Sequence, residues 1–279
     1  VEELVRVYLS VDIEGVAGVV HIDQSRRSGH DYGQARRWMT QEANAAIRGA
    51  FDAGAQEVLV NDSHADMRNL VLDELDPRVE LISGNLKPLS MVEGAEKRYD
   101  AALFVGYHAG SSTRAGILDH TYYGAVVSRL YVDGIEMNET GLNALVCGEF
   151  GTPVVLVTGD QAACQQAQEL LGRRVETVSV KEGITRYAAR SLHPQEAQRR
   201  IYEGTVRALA RRSEIAPYQL PGPLRLDIDF VNAAMADAAA LVPDTKRESA
   251  LRVSFEAQSP SRLLRMVLVL TKLAGTTIP

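Results

Sequence analysis

The segment "RVYLSVDIEG", residues 6–15, closes an apolar run with two carboxylates, Asp12 and Glu14, and then Gly15. Two carboxylates one residue apart at a strand end repel each other and call for a cation. Comparable positions carry further candidates: His64 in "NDSH", His108 in "GYHAG" and Glu139 in "MNETGLN". Oxygen and imidazole donors together suit zinc or, less selectively, manganese, iron or cobalt. No cysteine falls among them, which excludes a thiolate structural zinc site. Five such residues exceed what one catalytic zinc takes from protein, and they match two ions sharing a carboxylate. His120 lies beyond the loop "GSSTRAG". A free imidazole beside a metal pair, titrating near neutrality, is suited to moving protons.

Taken singly, each residue has a plainer reading. Asp12 could cap a turn, His64 could sit in a surface loop beside the turn formers Asp62 and Ser63, and His108 could be a satisfied core histidine. Glu139 stands at a helix start, where a carboxylate is favoured whatever its function. What points to chemistry is that all five fall at one edge of one sheet. His21 and His30, in the polar loop after the first strand, are candidates for the mouth of a site, and His193 reads as solvent-exposed before Pro194.

The elements that must position these residues alternate. Near-continuous apolar runs at 5–12, 56–62, 79–83, 100–108, 153–160 and 175–180 read as strands of a buried parallel sheet. Met39, Ala43, Ile47 and Phe51 form a helical face over 33–55, closed by Gly54. Helices are also expected around 90–98, over 139–150 and 161–172, and at 194–212 behind Pro194. Asp133-Gly134 marks a hairpin within 120–137. The proline-rich "EIAPYQLPGP", 214–223, reads as a boundary, followed by strands at 224–230 and 251–257 and a helix at 260–274. The fold class expected is a three-layer α/β/α domain with a mostly parallel sheet, residues 1–213, plus a smaller C-terminal α/β unit, residues 214–279. In such sheets ligands gather at the carboxyl ends of the strands, where the candidates fall.

Composition narrows the function. The net charge is −6 and the pI about 5.6, with no basic cluster long enough to follow a phosphate backbone, so a nucleic-acid partner is not expected. No apolar run reaches membrane-spanning length and no signal-peptide layout opens the chain, so no membrane partner is expected. The two cysteines, Cys147 and Cys164, read as helix packing in a reducing, cytoplasmic setting. A dinucleotide fold is excluded electrostatically: "DIEGVAG" puts carboxylates where a pyrophosphate would sit, and no G-x-G-x-x-G follows the first strand.

The blocks "SVDIEGVAG", "VNDSHADMRNL", "LISGNLKPLSMVEG", "LFVGYHA" with the later His120, and "NETGLNA" resemble the bacterial zinc-dependent D-aminopeptidases of the dipeptide-transport operon type. They occur in the family's order with similar gaps, strongly over about 5–160 and more weakly beyond. The resemblance implies two Zn2+ per chain, with Asp12 bridging both, Glu14 and His64 completing one, and His108 and Glu139 the other. His120 takes the place of the family's catalytic histidine, although the loop before it is one residue longer than the family's. The resemblance also implies a self-compartmentalising homodecamer acting on small peptides.

The function that follows is metal-assisted removal of the N-terminal residue from short peptides, D-amino-acid peptides or amides in particular. His120 would serve as general base or as proton donor to the leaving amine. A binuclear amidase or esterase acting on another small molecule stays open as an alternative. A receiver-like signalling module fits less well, because such modules are shorter and need no paired histidines. Lys87 in "LKPLSM" is a candidate for steadying a substrate carboxylate or an oxyanion, against simple surface exposure. Asn143, one turn after Glu139, is a candidate support for it, against a packing amide.

Overall fold

Apolar runs bounded by Gly, Asp and Asn set the strand ends in the computed structural model, which describes residues 4–278. The chain begins β1 (Arg6–Val11), α1 (Ile22–Ser25), α2 (Tyr32–Asp52), β2 (Glu57–Asp62), β3 (Glu80–Ile82) and β4 (Ala101–Tyr107). It continues β5 (Val127–Val132), β6 (Ile135–Glu136), α3 (Glu139–Glu149), β7 (Val154–Asp160), α4 (Gln161–Leu171), β8 (Glu176–Thr185) and β9 (Ala188–Ser191). The last elements are α5 (Pro194–Ala210), β10 (Leu224–Phe230), α6 (Ala233–Ala239), β11 (Thr245–Arg247), β12 (Arg252–Ala257) and α7 (Pro260–Gly275).

The larger sheet has seven strands in the order β3-β2-β1-β4-β7-β8-β9, parallel except for the β8–β9 hairpin. Its central strands β1, β4 and β7 are almost wholly buried, which is why they read as continuous apolar runs rather than alternating ones. The pairs α2–α5 and α3–α4 pack on this sheet, giving the expected α/β architecture. β1 lies between β2 and β4, with Val11 in register with Asp62 and with Val105. The carboxyl ends of the three strands that precede the candidate residues therefore stand side by side.

The second sheet is antiparallel, five strands in the order β11-β12-β10-β5-β6. Its core, including Leu130, Leu226, Phe230, Phe255 and Val267, is closed by α6, α7 and the outer face of α3. The Asp133-Gly134 turn is present, both residues at positive φ as a tight hairpin turn demands. That hairpin pairs through β5 with β10, so the antiparallel unit draws on the chain before residue 214 as well as after it.

The helix expected at 90–98 is instead two short 3-10 turns, Ser90–Val92 and Ala95–Lys97. Gly94 separates them at φ 92°, and a Cβ there would lie 2.7 Å from Ile82 Cδ1. A continuous helix cannot pass through that point. Among the described residues no helix is long and apolar enough to cross a membrane.

Candidate metal centre

The backbone after β1 is led into the site by two close approaches. Asp12 N donates to Val105 O and Gly15 N to Gly106 O, both at 2.8 Å. A Cβ on Gly15 would sit 2.0 Å from Tyr107 O, so only glycine allows the loop to lie this near β4. Asp12 and Glu14 are thereby fixed, 2% and 4% exposed, beside His64 from the end of β2 and His108 from the end of β4. Glu139 is the first residue of α3, where the helix N-terminus favours its charge; Asn138 caps that helix by accepting from Gly141 N.

The hydrogen bonds of the three imidazoles fix which nitrogen carries the proton in the neutral ring, because a backbone carbonyl can only accept. His64 Nε2 donates to Ser25 O at 2.7 Å, His108 Nδ1 to Ala109 O at 2.9 Å, and His120 Nδ1 to Leu118 O at 2.8 Å. The remaining nitrogens, His64 Nδ1, His108 Nε2 and His120 Nε2, all face carboxylates. His64 Nδ1 lies 3.1 Å from Asp12 Oδ1 and 2.9 Å from Glu14 Oε2. His108 Nε2 is 3.5 Å from both Asp12 Oδ2 and Glu139 Oε2, and His120 Nε2 is 3.7 Å from Glu139 Oε1. Asp12 thus turns one oxygen to His64 and the other to His108.

The arrangement is short of positive charge. Asp12 Oδ2, Glu14 Oε2 and His108 Nε2 are buried with no hydrogen-bond partner among the described residues, although each stands close to another donor atom of the centre. With protons as the only counter-charge, burial and then Glu14 push Asp12 up to about 7. Burial works against charge on His108 and His64. The carboxylates around them, Glu139 foremost for His108 and Glu14 for His64, outweigh it, raising His108 to about 10 and His64 well above its ordinary value. His120 moves the other way, lowered by burial and by the charge of His108. Unpartnered oxygens and lone pairs converging in a buried site are what a divalent cation satisfies. The residues present therefore fit a metal: one group of donors is Asp12, Glu14 and His64, and a second is His108 and Glu139 with His120 beside them.

His120 is stacked on His108, ring centroids 4.0 Å apart and planes 12° from parallel. It lies between His108 and a cavity of about 920 Å³, which Asp12, Glu14, His64 and Glu139 also line. α7 closes part of that cavity through Leu268 and Thr271, so both sheets' units form its wall.

The structure places Asp12, Glu14, His64, His108, His120 and Glu139 together, and it moves other candidates away. Lys87 is 9% exposed and donates to Asn61 Oδ1 and Asp62 O, both at 2.6 Å, so its ammonium supports the β2 end rather than meeting a substrate. Asn143 is fully buried, donating to Tyr107 OH and accepting from Tyr122 OH, while Tyr122 N donates to Glu139 Oε1 at 2.7 Å. It supports Glu139 through Tyr122. His21 caps α1, and the exposed His30 pairs with Asp31; neither is among the described residues lining the cavity. Sequence reading missed Tyr122, which lines the cavity, and Lys181, buried midway along β8 in register with Asp160, the last residue of β7. The lysine closing the apolar run "VETVSV" at the same sheet edge was an available signal.

A doubly wound α/β protein with paired carboxylate–imidazole donors at the strand ends has the make-up of a metal-dependent hydrolase. A family model described as D-aminopeptidase matches residues 5–269. The D-aminopeptidase of Bacillus subtilis (strain 168) is 39% identical over 276 residues, 98% of each chain. A solved structure of the Zn-dependent D-aminopeptidase DppA from Bacillus subtilis, a self-compartmentalizing protease, superposes with a TM-score of 0.95 at 38% identity, covering 98% of this chain and 99% of that one. The chain belongs to the D-aminopeptidase family.

Proposed function

We propose that the protein is a binuclear zinc aminopeptidase that removes the N-terminal residue from short D-amino-acid peptides. Asp12 would hold both ions, Glu14 and His64 one, His108 and Glu139 the other. The observation that carries this reading is Asp12, whose two carboxylate oxygens face different imidazoles, 3.1 Å and 3.5 Å away. The similar proteins of Bacillus subtilis, one of them a Zn-dependent D-aminopeptidase, support the metal and the substrate class.

When bound, the two ions supply Lewis acidity toward water and toward the scissile carbonyl. The chain supplies the rest. Leu118 O holds the proton of His120 on Nδ1, which leaves Nε2 as a base facing Glu139 and the cavity. Nε2 takes a proton from the attacking water and returns it to the leaving amine. The stacked ring of His108 and the carboxylate of Glu139 keep that nitrogen aimed at the reacting groups, and its lowered proton affinity keeps it neutral at pH 7. Burial of the donors excludes bulk water from their rear, so charge developing in the cavity is met by oriented groups rather than by solvent.

The same reading carries a cytoplasmic homodecamer with its sites facing an internal chamber, supported by the self-compartmentalizing relative. Sedimentation of the purified chain tests the assembly. The activity is tested by offering short D-peptides with free and with acetylated amino groups, beside their L-counterparts. Hydrolysis of the free D-peptides alone, abolished by chelation and restored by zinc, is expected. Equal hydrolysis of the acetylated compounds would move the reading to a general metal amidase.

A further inference from the structure

Lys181 is 2% exposed, an uncommon place for an ammonium group. Its Nζ donates to three main-chain carbonyls of a single loop: Glu14 O, Val16 O at 2.9 Å and Val19 O at 2.5 Å. Three donors meeting three acceptors uses its full hydrogen-bonding capacity. The same loop is gripped from α2, where the buried Glu42 accepts from Ala17 N at 2.8 Å. A third contact, Gly15 N to Gly106 O at 2.8 Å, presses it against the end of β4.

A buried ammonium needs compensation. Besides the three carbonyls, the negative charges of Asp160, Glu42, Glu14 and Asp12 favour its ammonium form, and burial still brings it down to about 8. Its hydrogen bonds reach one half of the proposed centre only. Glu14 offers its carboxylate to His64 and its carbonyl to Lys181, whereas the ligands His108 and Glu139 take no hydrogen bond from Lys181 among the described residues.

We propose that Lys181 is a positioning residue for the Glu14–His64 half of the centre: by holding the main chain of Glu14 it sets how tightly that half binds its ion. The inference rests on the two-ion reading above. The physical reason is that a carboxylate ligand must arrive within a few tenths of an ångström of its place, and a loop free to shift spreads it over many geometries. Groups that orient metal ligands contribute roughly 10–100-fold to metal affinity.

The test is a zinc titration of the full chain against a chelating indicator, on the wild type and on Lys181→Met. Glu14→Gln and Glu139→Gln serve as references for loss at each half. We expect Lys181→Met to weaken one of two ions about 10–100-fold and to follow the Glu14→Gln curve, not the Glu139→Gln curve. Lys181→Gln, which keeps an N–H donor on a shorter side chain, should weaken the same ion less. Equal weakening of both ions, weakening on the Glu139 side, or no weakening would overturn the proposal. So would failure of both Lys181 variants to fold, since the residue would then support the core at large. A wild-type chain that binds no zinc would instead refute the two-ion reading itself, and this inference with it.

Discussion

The two halves of the proposed metal centre are built differently. Asp12, Glu14 and His64 sit on loops following β1 and β2 and are immobilised from behind, by Lys181 on the main chain of Glu14 and by Ser25 O on the far nitrogen of His64. The other half rests on regular structure: His108 just past β4 and Glu139 in the first turn of α3. It also has an additional imidazole, His120, whose side chain is 22% exposed where those of His64 and His108 are 9% and 1%. One half is closed and held; the other keeps a nitrogen open to the cavity. The lesson is a separation of tasks, with Asp12 turning one oxygen toward each half.

The most severe way to break the comparison is to remove the joint. Asp12→Ala should empty both halves and reduce hydrolysis to background, where loss at a single half would leave one ion bound. Next in size is His120→Ala. It should leave zinc content unchanged while kcat falls about 10²–10⁴-fold, the usual range for a lost general base.

The pH profile sharpens that expectation. Burial lowers the His120 pKa, so its neutral, proton-accepting form persists to below pH 6.5 and is lost on further acidification. The acid limb of kcat/KM should therefore lie below pH 6.5 in the wild type, and the contribution of His120 to it should vanish in His120→Ala. A limb centred above pH 7 would contradict this assignment.

The smallest effect is expected from Asn143→Ala, which touches neither donors nor cavity directly. It strips the Tyr122 hydroxyl of its acceptor, while Tyr107 keeps Ser10, a cost of about 1–3 kcal/mol in stability. Thermal unfolding should report it, with a minor drop in kcat through Tyr122 and Glu139.

Much of this was legible in the sequence, for identifiable reasons. β1, β2 and β4 are buried on both faces, so they read as apolar runs, and residues just past their ends, Asp12, His64 and His108, could be placed at one edge from the sequence alone. The β5–β6 hairpin was legible through Asp133-Gly134, but its sheet was not: its partner β10 lies roughly a hundred residues later, and periodicity does not encode pairing. The β9 strand escaped because its residues are exposed or half-buried and show no alternation. What Lys87 and Lys181 hold was opaque for one shared reason. A lysine reads as a surface residue, and only the fold shows that carbonyl oxygens from distant segments converge on its ammonium.

The measurement that bears most directly on the account is the zinc-to-chain ratio of Asp12→Ala beside the wild type, each purified in zinc and shown to be folded. Two ions in the wild type and none in the variant are expected. A variant that keeps one ion at wild-type affinity would show that Asp12 serves one half alone, and would contradict the shared centre.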